Sequence, residues 1–198
     1  MPYVITSKET DRERPSSMLL NAVCTGFLPM GLEENFNKNG YVRKLVLTFE
    51  TEEKMKEGEY AGKPFFFSQK YTESLHEKSN LRRDLESWRG KSLSEVEVAG
   101  FDIEKVVGVP CTLALVENTK GGNTYLNIGN ILSIQSGARV VQASGAKPPD
   151  WLLEQQAKGM ALLQEREAVT GQNVAGEEDQ TQKPLGNLNP QTDRGCPF

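Results

Sequence analysis

The segment YVRKLVLTFET, residues 41–51, alternates with a period of two: Leu45, Leu47 and Phe49 share one face, and Lys44, Val46 and Thr48 share the other. Successive side chains of an extended backbone point to opposite sides, so this pattern predicts a half-buried β-strand. Downstream, past a charged turn at 52–62, residues 63–72 repeat it, with Phe65 and Phe67 on one face and Phe66, Ser68 and Lys70 on the other. The two segments form a hairpin. Upstream, residues 18–30 are mostly apolar, with β-branched Val23 and Thr25 and a closing Pro29, and they read as a first strand. A loop of Gly, Asn and charged residues at 31–40 connects it to the second.

After residue 72 the period changes. Ser74 and Glu77 have capping-box spacing, Leu81, Leu85 and Trp88 follow one helical face, and Gly90 offers a stop, which predicts a helix. A second box, Ser92 to Glu95, and the apolar set Phe101, Ile103, Val106 and Val107 predict further helical turns. Alternation returns at 109–116, where Cys111, Leu113 and Leu115 face one way, and a loop with Lys120, Gly121 and Gly122 turns the chain. The last strand, 124–134, places Leu126, Ile128, Leu132 and Ile134 on one side and Tyr125, Asn127, Gly129 and Ser133 on the other, with a bulge expected at Asn130. Three strands, a helix and two strands is the order of a five-stranded OB-fold barrel, a mainly β class with its helix between strands three and four.

The expected organisation is a lead-in over 1–16, an OB-fold domain over 17–136, a C-terminal helix within 148–169 and a disordered tail over 170–198. Asp150 is the expected N-cap of that helix, and Leu153, Ala157, Met160 and Ala161 form its stripe, to dock on the barrel or on a partner. The tail is rich in Gly, Gln, Asn and Glu and ends in Pro197 and Phe198.

The composition of this 198-residue chain narrows its function classes. A net charge of -4 argues against coating duplex DNA through global positive charge, so a nucleic-acid site has to be local. The three cysteines, Cys24, Cys111 and Cys196, are widely spaced and suggest neither a disulfide framework nor a zinc site, so reduced thiols in a cytoplasmic setting are expected. No apolar run reaches the length of roughly 20 residues that crosses a bilayer, and no membrane association is expected. Of the catalytic groups, the single histidine, His76, reads as a surface residue. No phosphate-cradling, dinucleotide-binding, zinc-protease or nucleophile-elbow motif occurs, so the reading is a protein that is not an enzyme and needs no metal or cofactor.

The outward faces of strands two, three and five instead offer Lys44, Phe66, Ser68, Lys70, Tyr125 and Asn127, joined at the edges by Arg43, Tyr71 and Lys120. Rings on which bases stack, beside cations that neutralise phosphates, are what a single strand requires. Phe65 and Phe67 read as packing residues, Trp88 as the helix anchor, and Arg82, Arg83 and Arg89, interrupted by Asp84 and Glu86, as a solvated helix face.

The stretch SLHEKSNLRRDLESWRG, within residues 71–118, resembles a family of phage- and prophage-encoded single-stranded DNA-binding proteins, and the resemblance extends over 41–134. It implies an OB-fold protein of phage replication or recombination in the bacterial host cytoplasm. The tail, with Glu177, Glu178 and Asp179 and a final Pro197-Phe198, looks like the partner-recruiting end of such proteins, although Arg194 departs from the acidic pattern. Pro197 and Phe198 would then enter an apolar pocket on a replication or recombination protein. Assembly as a homo-oligomer is compatible with this reading. The competing expectation is a protein–protein module, such as a host-defence inhibitor or a recombination mediator.

Overall fold

The structure, a computed structural model, describes residues 13–38, 40–121, 123–134 and 140–174. By its contacts the chain divides into two units, Met1–Gln164, which holds the sheet, and Glu165–Phe198. The elements of the first are β1 (Leu19–Glu34), β2 (Tyr41–Lys54), β3 (Pro64–Thr72), α1 (Asn80–Arg89), α2 (Glu95–Ala99), a 3₁₀ turn (Ile103–Val106), β4 (Pro110–Lys120) and β5 (Asn123–Leu132). Helix α3 (Asp150–Val174) starts in this unit and runs past its boundary. Among the described residues no helix is long and apolar enough to cross a membrane.

The strands form one five-stranded antiparallel sheet in the order β3-β2-β1-β4-β5. β1 is its hub: Leu19 to Val23 pair with β4, and Ala22 to Glu34 pair with β2. The register slips between Cys24 and Gly26 and again between Pro29 and Gly31. Such slips bend a strand and re-aim its side chains. Leu20, Ala22 and Cys24 therefore join the main core, whereas Leu28 and Met30 join a second cluster with Val46 on the opposite face. Four successive antiparallel pairings leave the two outer strands, β3 and β5, running in the same direction. Their Cα atoms approach within 8 Å. No hydrogen-bonded ladder joins these edges among the described residues, so the sheet is open where the sequence reading expects a closed barrel.

The alternation in β2 is realised as predicted: Leu45, Leu47 and Phe49 enter the main core with Tyr71, Cys111, Leu113, Leu115, Ile128 and Ile131. Leu81, Leu85 and Trp88 of α1 close it, each such burial contributing about 1.5 to 3 kcal/mol. Trp88 is the helix anchor, with its ring 5.9 Å from that of Phe49 and its Nε1–H donating to the Pro110 carbonyl at 2.8 Å. The helix starts differ from expectation. Ser79, not Ser74, caps α1 by accepting from the Arg82 N–H, and the Ser74 hydroxyl accepts from the His76 N–H in the preceding turn. The second capping box is Ser94 with Glu97, two residues beyond the predicted pair. Ser and Glu recur closely here, so spacing alone does not choose among them. Gly90 does end α1, in the left-handed conformation at φ 74°.

The expected bulge in β5 falls at Gly129, between Ala114 opposite Asn130 and Leu115 opposite Ile128. It switches the inward face, so that Ile131 is fully buried and Leu132 only half-buried. On α3 the buried positions are Leu152 and Gly159 rather than the predicted stripe, and Leu153 is exposed. Leu152 packs with Leu28, Met30 and Val46, and Gln156 Nε2 donates to the Pro29 carbonyl at 2.9 Å. A Cβ on Gly159 would lie 1.9 Å from the Met30 carbonyl oxygen. Gly31, at φ +70°, faces the same contact. Two backbones meet here without side chains between them, a docking mode that hydrophobic periodicity cannot register.

Candidate functional site

α3 docks on the outer face of β1, β2 and β3, which carries much of the predicted binding strip, so the strip is not continuous. Phe66 is half-buried against the cluster containing Leu152. The Lys70 ammonium lies 3.3 Å from Glu33 and donates to Gln155 of α3 at 3.4 Å. Lys44 Nζ donates to the Thr72 hydroxyl at 2.9 Å. Arg43 lies on the part of the β1–β2 hairpin that extends beyond β3, and its carbonyl accepts from Glu73.

Tyr71 requires the plainest correction. It is 2 % exposed, and its hydroxyl donates to Asp84 Oδ2 at 2.8 Å, so no base can stack on it. Burial, and next the Asp84 carboxylate, push that hydroxyl's pKa well above the usual range. Asp84, itself 3 % exposed, is also held by Arg83 at 3.1 Å. Inward direction thus makes Tyr71 a core residue, although its place in β3 looked like a strand edge.

The other predicted strand residues converge elsewhere. Phe66 and Ser68 of β3 and Tyr125 and Asn127 of β5 all line one open cleft of about 2620 Å³. It lies between the first halves of these two strands, where the ladder is missing. Lys120 is at the β4–β5 turn, opposite Asn123, and does not line it. Pro197 and Phe198 lie outside the described residues.

The structure adds residues from a turn and a helix start. Tyr60 from the β2–β3 turn and Trp151 from the start of α3 reach the same cleft. With Tyr125 they present rings that are 53 %, 51 % and 49 % exposed. Lys63 lies over the Tyr60 ring, its Nζ 5.1 Å from the centroid, and Lys54, Lys147 and Arg14 also line the walls. A single ring within a turn of charged and small residues, EGEYAGK at 57–63, is the available signal, because the segment holds no large apolar residue for it to pack on.

Carboxylates line the cleft too, and Glu13, Glu50 and Glu52 among them are engaged internally. Glu13 accepts from the backbone N–H groups of Glu57 and Lys56, which hold its pKa below the usual carboxylate range. Glu50, 3 % exposed, accepts from Ser144. Glu52 accepts from Asn21 Nδ2 at 3.3 Å, and together with Glu57, Glu59 and Asp150 along the lining these carboxylates make the charge of the cleft mixed. No protein-family model and no curated protein matches this chain.

Elsewhere the chemistry is quiet. Burial pushes the Cys24 thiol up to about 12 and the Cys111 thiol higher still, so both stay protonated. His76 is exposed, and its Nδ1 accepts from the Lys78 N–H at 3.3 Å. Among the described residues, no group of three or more His, Cys, Asp or Glu is placed to hold a metal ion.

Proposed function

We propose that the protein binds single-stranded DNA without strong sequence preference, as a phage-type accessory of replication or recombination, and that the strand lies in the β3–β5 cleft. The carrying observation is the convergence of three half-exposed rings, Tyr60, Tyr125 and Trp151, on one cleft that Lys54, Lys63 and Lys147 also line. Stacking on such rings is worth about 1 to 3 kcal/mol per base and needs no particular base. The strand order supports an OB-fold reading: β3 and β5 run in parallel at the sheet's two edges, and a ladder between them would close a five-stranded Greek-key barrel with α1 across one end. The resemblance of SLHEKSNLRRDLESWRG to phage single-stranded DNA-binding proteins points the same way, as does the tail, whose Pro197 and Phe198 would recruit replication or recombination proteins.

Titration of the full chain against fluorescent oligo-dT and a matched duplex tests this reading. One phosphate contact each from Lys54, Lys63 and Lys147 makes about three, so log affinity for the single strand should fall with log salt at a slope of about -2. Duplex should bind far more weakly. Equal binding of duplex, or no binding to oligo-dT, removes the proposal.

A further inference from the structure

Residues 140–149 lead into α3 as a strap without regular structure, and Val140, Gln142, Ser144 and Lys147 on it line the cleft. Among the described residues no backbone–backbone hydrogen bond runs from this strap to the sheet. Its polar tie is Ser144, whose N–H donates to Glu50 Oε2 and whose hydroxyl donates to Glu50 Oε1, each at 2.7 Å. Glu50 stands in β2 opposite Val23 of β1 and Phe66 of β3, withdrawn from water at 3 % exposure. A carboxylate so placed is costly unless both oxygens are satisfied, and charge-assisted hydrogen bonds are the strong class. The Ser144 hydroxyl also accepts from the Ala146 N–H at 3.1 Å, which sets the turn leading to Lys147.

We propose that Glu50 and Ser144 are a positioning pair that latches the strap as a wall of the cleft and so governs strand entry. This rests on the single-strand reading of the cleft. Ser144→Ala removes the hydroxyl from the latch, Glu50→Gln leaves one acceptor for two donors, and Ser144→Thr keeps the hydroxyl.

The test measures amide hydrogen exchange over 140–149 in the full chain, together with stopped-flow association with oligo-dT. In the alanine and glutamine variants, strap exchange should rise about tenfold while β2 and β4 amides stay protected, because local openings report local contacts. Association should quicken severalfold, and Ser144→Thr should match the wild type in both readouts. Strap exchange unchanged in both variants overturns the latch. Looser strap exchange with an unmoved association rate overturns its control of entry. If the wild-type chain fails to bind oligo-dT, the functional reading and the entry role fall together, and strap exchange still decides the latch.

Discussion

The outer side of this sheet contains two regions built in opposite ways. Under α3, backbone meets backbone at Gly31 and Gly159, Leu152 is 1 % exposed, and Lys44 and Lys70 are engaged by Thr72, Glu33 and Gln155. Between β3 and β5, no ladder pairs the strand edges among the described residues, and rings are half exposed. Phe66 borders both. The contrast teaches that a strand face carrying rings and cations is a binding surface only where nothing in the chain already covers it, and that the first region is scaffold while the second is available to a ligand.

The largest effect is expected at the closed region. Gly159→Ala places a Cβ where the Met30 carbonyl stands, so the helix must lift, at a cost of about 1 to 3 kcal/mol by thermal or denaturant unfolding. An unchanged stability would mean that α3 is not seated there.

That contact also marks how far the sequence could be read. The five strands, the helix between the third and fourth, and the buried face of β2 were legible, since periodicity reports which side of an element meets the core. Four of the predicted site residues, Phe66, Ser68, Tyr125 and Asn127, do reach the cleft. The orientation of Tyr71 was not legible, because whether a strand-end ring turns toward α1 depends on Asp84 arriving from a separate element. The engagement of Lys70 by Glu33 and Gln155 was not legible either, because it depends on a helix seated through a residue without a side chain. Tyr60 and Trp151 share a cleft with Tyr125 only because turn, helix start and β5 are brought to it by the fold.

The open region should respond in binding rather than in stability. Tyr125→Ala should weaken oligo-dT binding about tenfold, within the range for loss of one stacking platform, with little change in the unfolding midpoint. A smaller effect sharpens the comparison directly: Lys63→Ala with Lys147→Ala should flatten the single-strand salt slope by about 1.4, whereas Lys44→Ala with Lys70→Ala should leave it nearly unmoved. Equal effects from the two pairs would erase the distinction between the regions. The smallest change belongs to the core beneath them. The Thr112 hydroxyl is buried with no hydrogen-bond partner among the described residues, so Thr112→Val should leave stability unchanged or raise it slightly in the same unfolding assay.

The most direct test of the cleft as the binding surface is photo-crosslinking of the full chain to an oligo-dT carrying photoreactive thymine analogues, followed by peptide mapping. Cross-links are predicted on the peptides holding Tyr60, Tyr125 and Trp151. Cross-links concentrated instead on the β1–β2 hairpin around Arg43 and Lys44, with the cleft peptides unmarked, would contradict the account.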